Sequence, residues 1–355
     1  MKHVKLWAWL LALALLLALP GCAAGETADD AAPPASQGGV AQDDGGDELF
    51  TLRMITITAF NELNVADALG FFRDEGIQIE YIGALNKSVT EHQLLTQGEV
   101  DVFVQSHPPV VAQARLAGMK SIAVTTGIVD HEEYTHVRYL VQKDSPIQSL
   151  DEAVGHKVAI TRINPCEDGY VKYYLKTRGL DPEGAEFVTL EAGTLEQSLV
   201  QGLVDITTSH PPHAGAALAT GEVREIFNTW EMFGSPGAGL STRGFREDFI
   251  QEHPDVVQGF VNALYRARVW INNNIDEAKA IVADFLDLDP SDLSSFYFDE
   301  NKNIDPAYIE KWFEISEEID LWEPGDILPT DIYTNDFVPA DIPESDATRH
   351  WEGGA

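Results

Sequence analysis

Gln97-Gly98-Glu99-Val100-Asp101 leads through an apolar stretch to Ser106-His107-Pro108-Pro109, and the same order returns in Gln201-Gly202-Leu203-Val204-Asp205 and Ser209-His210-Pro211-Pro212. The aspartate and the histidine are six residues apart in the first copy and five in the second. Each copy is typical of a helix that a glycine ends, then a strand, then a helix whose first turn tolerates proline. We interpret the copies as equivalent units of two similar halves, with chance similarity as the alternative.

The residues before the first copy follow an α/β pattern. Residues 52–58 predict a strand, residues 64–75 predict a helix with one apolar face, and residues 77–81 predict the next strand. Alternating strands and helices of these lengths indicate a parallel sheet with helices on both sides. Ligands of such sheets bind beyond the carboxyl ends of the strands. If the halves face each other, His107 and His210 therefore face one cleft from opposite sides.

Length and composition limit the classes of protein to consider. The chain has 355 residues and 44% hydrophobic content, so it can bury a core, and two lobes are expected. Its formal charge is −35, which repels phosphate backbones and argues against nucleic-acid binding. We read the acidity as a solvated surface or as adaptation to a saline or acidic habitat. The two cysteines, Cys22 and Cys166, provide no disulfide framework.

The first 48 residues read as an export signal and a tether. Lys2 and Lys5 precede an apolar run at residues 6–19, which is shorter than the ~20 residues of a membrane-spanning helix. The following Leu19-Pro20-Gly21-Cys22 resembles the lipobox of bacterial lipoproteins, in which Cys22 would carry the lipid. An ordinary signal cleaved nearby is the alternative. Residues 1–21 are thus predicted to be a signal peptide and residues 22–48 a flexible linker.

Four further motifs occur in a family order over about residues 50–290. They are ALGFFRDEGI at 68–77, SLD with GHKVA at 149–159, the second repeat at 201–212, and HPDVV with WI at 253–271. Together they resemble the substrate-binding proteins of ABC importers. More narrowly, they resemble the branch that includes nitrate, taurine and alkanesulfonate receptors and the thiamine-pyrimidine (NMT1/THI5-like) proteins.

The resemblance implies an α/β chain with the type II periplasmic-binding-protein fold, in which two lobes are joined by two hinge strands. Lobe 1 would be discontinuous, comprising residues 49–138 and 235–325, and lobe 2 would comprise residues 139–234. Residues 326–355 are expected to form a poorly ordered C-terminal tail.

Candidate ligand-contacting residues follow the ends of predicted strands. They are Asn61, Glu62, Gln105, Ser106, His107, Arg162, Asn164, Cys166, Ser209 and His210. Alternatives remain open: a helix cap for Asn61 and Glu62, a structural histidine for His107, and a surface ion pair for Arg162. In several members of the family the strand-to-helix junction at residues 162–166 contacts the ligand, which adds weight to that group.

The predicted function is that of a lipid-anchored, extracytoplasmic receptor that delivers a small molecule to an ABC permease and its ATPase. A nitrogen heterocycle, such as a thiamine-pyrimidine precursor, and an organic sulfonate or carboxylate are equally compatible ligands. Alternatives are a metal or metal-chelate receptor that uses His107, His210 and Cys166, and a tethered sensor. We predict no catalysis and no cofactor: Glu167 and Asp168 oppose activation of Cys166, and no Ser-His-Asp spacing, P-loop or dinucleotide fingerprint occurs.

Overall fold

The structure is a computed structural model that describes residues 49–85, 89–191 and 193–353. The predicted signal peptide, the lipid site at Cys22 and the linker lie outside the described residues. Within the described residues, no helix combines the length and the apolar character that crossing a membrane requires.

Strands and helices alternate through most of the described chain. The strands are β1 (Phe50–Thr56), β2 (Ile77–Ala84), β3 (Val102–Ser106), β4 (Ser121–Thr126), β5 (Ile128–Val129), β6 (Arg138–Gln142), β7 (Lys157–Ile160), β8 (Glu186–Thr189), β9 (Ile206–Ser209), β10 (Val223–Asn228), β11 (Thr242–Arg246) and β12 (Tyr297–Phe298). The helices are α1 (Glu62–Ala68), α2 (Phe71–Asp74), α3 (Glu91–Gln97), α4 (Pro108–Leu116), α5 (Tyr170–Thr177), α6 (Leu195–Val200), α7 (His213–Ala219), α8 (Thr229–Phe233), α9 (Glu247–Glu252), α10 (Pro254–Asn273), α11 (Ile275–Leu286) and α12 (Pro306–Glu318).

The strands form separate sheets in two lobes. In lobe 2 the sheet order is β10-β6-β9-β7-β8, with β7 parallel to both β8 and β9. In lobe 1, β1 pairs in parallel with β2, while β11 lies antiparallel between β3 and β4. The returning strand β11 thus completes the sheet that the chain began before it crossed into lobe 2. This arrangement confirms the predicted two-lobed α/β class. The prediction of a parallel sheet is wrong, because β6, β10 and β11 run antiparallel to their neighbours.

The chain crosses between the lobes twice, at neighbouring positions. The outgoing crossing enters β6 and the returning one leaves β10, and these strands pair so that Arg138 lies opposite Asn228. The backbone N–H of Thr229 donates to the carbonyl of Val137 over 3.0 Å. Two adjacent crossings of this kind are what a two-strand hinge requires. The lobe boundaries given above stay a prediction.

The predicted helix at residues 64–75 is wrong in one respect: it is two helices. Gly70 has φ +74°, a left-handed conformation that glycine adopts without steric cost, and it separates α1 from α2. Phe71 and Phe72 remain buried after the break, so the apolar pattern indicated burial correctly but not helix continuity.

The expectation of a poorly ordered C-terminal tail is also wrong for residues 326–353. Asp346 forms an ion pair with the buried Arg266 at 2.6 Å. Tyr333 forms an isolated β-bridge with Ala123 of β4. Arg266 also contacts Asp74 at 2.7 Å, which ties this segment to lobe 1. A buried guanidinium needs carboxylate partners, and the last residues of the chain provide one of them.

Candidate functional site

Three histidines and a cysteine from both lobes meet at the hinge. The ring of His136, just before β6, lies between His107 and His210, with ring centroids 5.0 and 5.1 Å away. The Sγ atom of Cys166 is 4.0 Å from Nε2 of His210. One potential donor atom from each of His107, His136 and Cys166 lies within 4.8 Å of the others. We call these four residues the histidine–cysteine cluster.

His107 belongs to the cluster because of the first Ser-His-Pro-Pro turn. It is the N-cap of α4, in extended conformation, and Pro108 occupies the first helical position as predicted. Nδ1 of His107 is 2.7 Å from the carbonyl oxygen of Leu240. Since a carbonyl only accepts, Nδ1–H donates and Nε2 keeps a free lone pair.

The second turn differs from the first in detail. Helix α7 begins at His213 rather than at a proline, and the Pro211-Pro212 peptide bond is cis. His210 nevertheless lies at the carboxyl end of β9, in lobe 2. The two turns thus meet through His136, which links them from the hinge.

His136 was missing from the sequence prediction. The residue is 2% exposed, and neither ring nitrogen has a hydrogen-bond partner among the described residues. Its backbone N–H donates to Oδ1 of Asp130 over 2.8 Å, which fixes the main chain but not the ring. An unpaired buried polar group costs about 1–3 kcal/mol. Such nitrogens therefore mark a place where another molecule can bind.

Cys166 lies in a capped π-helical turn, Pro165–Gly169, after β7. Oδ1 of Asn164 accepts hydrogen bonds from the backbone N–H groups of Cys166 and Glu167 and from the Cys166 thiol, over 2.9–3.0 Å. Nδ2 of Asn164 donates to Glu167 over 2.9 Å. Asn164 thus acts as the cap of this turn and as the support of Cys166.

Burial favours the neutral form of each side chain in the cluster. Burial lowers the pKa of His107 to about 4, with neighbouring His210 and Arg162 acting in the same direction. Burial also lowers the pKa of His136 far below the usual range, and that of His210. Burial and then the Glu167 carboxylate raise the pKa of the Cys166 thiol. Neutral imidazoles with free lone pairs can accept a hydrogen bond or bind a metal.

Aromatic rings close one side of the cluster. Trp312 of α12 is fully buried and stacks on His107, with centroids 4.8 Å apart, and on Tyr170, with centroids 5.2 Å apart. The Tyr170 hydroxyl donates to the carbonyl of Ala238. One indole therefore contacts a residue of each lobe. The sequence analysis missed Trp312 because α12 lies far along the chain from both turns.

Several other predicted site residues have structural partners. Asn61 caps α1, accepting from the backbone N–H of Asn64 over 2.9 Å, which is the alternative considered above. The Ser106 hydroxyl lies 3.0 Å from Nε2 of His92, and the Ser209 hydroxyl donates to Glu196. These bonds give each of the three side chains a structural role within its own lobe.

Glu62 takes part in a buried ion pair. Its Oε1 is 3.0 Å from Nη2 of Arg243, and the two residues are 0% and 2% exposed. A Cβ on Gly127 would lie 2.4 Å from that nitrogen, so only glycine leaves room for the guanidinium. Glu62 is therefore not a helix cap, and that alternative is wrong. Its carboxylate pairs with Arg243 inside lobe 1.

Gln105 and Arg162 are the exposed members of the predicted set. Gln105 is the penultimate residue of β3, and its backbone N–H donates to the Glu91 carboxylate over 3.3 Å. Arg162 makes no hydrogen bond or ion pair with the residues that the structure describes, although its charge reaches His107, His210 and Cys166. Arg162 is thus available to an anionic ligand.

A cavity of about 280 Å³ opens beside the cluster. Its lining includes Thr135 and Pro211, the chain neighbours of His136 and His210, as well as Lys279. The buried Thr135 hydroxyl has no hydrogen-bond partner among the described residues. No cluster residue itself lines this cavity or a second one, of about 340 Å³, between α1, α11 and the end of the described chain. None of the residues that line the second cavity is a chain neighbour of a cluster residue. The smaller cavity is therefore the better candidate for a ligand.

Comparison with known families gives one match over most of the two lobes. A family profile described as "NMT1/THI5 like" matches residues 58–278, more than half of the chain. The binding protein YtlA of Bacillus subtilis (strain 168) is 21% identical over 292 residues, covering 79% of this chain and 84% of YtlA.

Solved structures share the fold at low sequence identity. The alkanesulfonate-binding protein SsuA of Xanthomonas axonopodis pv. citri, bound to MOPS, superposes with TM-score 0.65 at 15% identity, covering 81% of this chain and 99% of SsuA. The desulfurization enzyme DSZB superposes with TM-score 0.58 at 15% identity, covering 80% of this chain and 96% of DSZB. The fold therefore occurs in binding proteins and in an enzyme, so residues rather than fold must decide the function.

Proposed function

The chain belongs to the NMT1/THI5-like family and has the periplasmic-binding-protein fold, and on that basis we propose that it binds a small molecule between its lobes and delivers it to an ABC importer. The observation that carries the proposal is the meeting of His107, His136 and His210 from both lobes beside a cavity of about 280 Å³. A ligand that contacts groups of both lobes would favour the closed form.

Two ligand classes fit different parts of this cleft. The ring nitrogens of His136 and the Thr135 hydroxyl are buried and have no hydrogen-bond partner in the described part of the chain, and they suit a nitrogen heterocycle such as a thiamine-pyrimidine precursor. Lys279 lines the cavity and Arg162 is exposed near the cluster, and their charges suit an organic sulfonate or carboxylate. A thermal-shift screen over both classes separates them.

Replacement of either turn histidine should weaken binding of the solute found in that screen. His107→Ala and His210→Ala each remove a half-buried group that pairs with ligand, and we expect a loss of about 1–3 kcal/mol, or about 5- to 150-fold in Kd. Isothermal titration calorimetry measures the change. His350→Ala, whose side chain is 72% exposed, is the control and should bind normally. Unchanged affinity in both turn variants would remove the assigned site.

The same proposal includes a lipid anchor at Cys22, on the extracytoplasmic side of the membrane. Its support is the charged start, the short apolar run and the lipobox-like Leu19-Pro20-Gly21-Cys22. The parent protein should incorporate labelled palmitate, and Cys22→Ser should not. Equal labelling of the two proteins would contradict the anchor.

Catalysis is not part of the proposal. Burial and Glu167 raise the pKa of the Cys166 thiol, which is the reverse of what a nucleophilic cysteine needs. A tethered sensor would bind its ligand in the same cleft. The solute test above therefore does not depend on whether the protein acts in import or in sensing. A permease and an ATPase encoded beside this chain would favour import, and a histidine kinase would favour sensing.

A further inference from the structure

We propose that His107, His136 and Cys166 bind a transition-metal ion of the zinc, copper or nickel type in the cleft, with His210 as the fourth donor. This inference rests on the proposed function, because it names a metal as a component of what the same cleft binds. The set differs from the one that the sequence suggested, since His136 replaces His210 as a principal donor.

The spacing of the donor atoms fits one ion. The atoms of His107, His136 and Cys166 lie within 4.8 Å of one another, and Sγ is 4.0 Å from Nε2 of His210. Zinc binds sulfur at about 2.3 Å and imidazole nitrogen at about 2.0–2.1 Å, so in tetrahedral geometry two of its ligand atoms are about 3.3–3.6 Å apart. Side-chain movements of about 1 Å would therefore bring the donors into range.

The orientation of His107 is the one a metal ligand needs. The carbonyl of Leu240 holds Nδ1–H and leaves Nε2 free to bind. A hydrogen bond from the second ring nitrogen to a carbonyl is the usual support of a ligating histidine, because it fixes both tautomer and ring direction.

Comparison with another buried histidine of lobe 1 argues against a purely structural cluster. His92 is as buried as His136, but its Nδ1 lies 2.9 Å from the Ser121 hydroxyl and its Nε2 3.0 Å from that of Ser106. His136 has no partner at either nitrogen in the described part of the chain. Buried polar groups without partners are rare in native proteins, and they point to a binding partner from outside.

Binding would proceed without any redox change. The Cys166 thiol gives its proton to solvent as the sulfur–metal bond forms, and the thiol's hydrogen bond to Asn164 is lost. The imidazoles are neutral and bind through lone pairs. A mixed thiolate and imidazole set suits zinc, copper and nickel rather than magnesium or calcium.

The test uses the full chain with Cys22→Ser, so that Cys166 is its only thiol. After dialysis against EDTA, Zn²⁺ is titrated by calorimetry and Co²⁺ by absorption. We expect one equivalent of each ion, and a near-ultraviolet thiolate-to-cobalt band. His136→Gln and Cys166→Ser should each weaken Zn²⁺ binding at least about 10-fold, since even outer partners of a metal site contribute that much. Cys166→Ser should also lose the cobalt band.

His131→Ala is the matched control, because this histidine stacks on Tyr297 outside the cluster. It should bind Zn²⁺ as the parent does, and circular dichroism shows whether each variant is folded. Absence of saturable Zn²⁺ binding by the parent would overturn the metal site. So would folded His136→Gln and Cys166→Ser variants that bind Zn²⁺ as tightly as the parent does. If solutes from the screen still bind in the presence of EDTA, the proposed function stands even without a metal site. Zn²⁺ uptake that depends on His136 supports the metal site whether or not a solute binds.

Discussion

Trp312→Ala is expected to lower the free energy of unfolding by about 3–5 kcal/mol, the range for removing a large aromatic side chain from a core. The indole is fully buried and stacks on both His107 and Tyr170. Its loss leaves a cavity where α12 packs against α4 and α5. The same variant should weaken solute binding, because the His107 ring loses the surface that holds it.

Urea unfolding followed by circular dichroism measures the stability change, and calorimetry measures the change in affinity. Trp312→Phe is the matched variant, since it keeps a ring against His107 and should recover much of both losses. Trp230→Ala is the control, because Trp230 is only half-buried, and it should lower the free energy of unfolding by less than Trp312→Ala does. A loss of stability below about 1 kcal/mol in Trp312→Ala, with normal binding, would contradict the role given to this residue.

Arg243→Met is expected to destabilise lobe 1 by about 3–5 kcal/mol, because it leaves the buried Glu62 carboxylate without its partner. The guanidinium also donates to the Ser241 hydroxyl over 2.9 Å. Much of the expected cost is the uncompensated charge rather than the value of the pair itself. A second change that removes this charge should therefore restore stability.

The double variant Glu62→Gln with Arg243→Met tests this reasoning, and we expect it to be more stable than Arg243→Met alone. Arg115→Met removes a partly exposed pair with Glu247, at 2.7 Å, and should cost at most about 1 kcal/mol. Both are measured by urea unfolding at neutral pH. A double variant no more stable than Arg243→Met would show that the guanidinium acts through its other contacts.

The repeated turns allowed part of the site to be predicted. The spacing from Asp101 to His107 and from Asp205 to His210 placed both histidines at strand ends, and the structure brings both next to His136. The family resemblance is confirmed, and so is the two-lobed fold. Whether the ten predicted residues contact a ligand stays a prediction, and for Asn61, Ser106 and Ser209 the contacts favour structural roles.

His136 and Trp312 could not be found in the same way. Neither lies in a repeat, and neither follows a strand end. A histidine just before the first crossing strand was the available signal for His136, since a hinge residue lies beside any cleft between two lobes. For Trp312, no local signal existed, because an aromatic residue on an apolar helix face is typical of any core.

The sequence by itself determined the alternation of strands and helices, the duplicated turns and the family. These depend on local hydrophobic periodicity and on the proline and glycine residues that mark the ends of strands and helices. Only the tertiary structure decided which polar side chains are already paired and which are not. Pairing depends on residues that are distant in sequence, such as Glu62 with Arg243 and Asp346 with Arg266. For the same reason His136 became the centre of the cluster only when the chain had crossed between the lobes and returned.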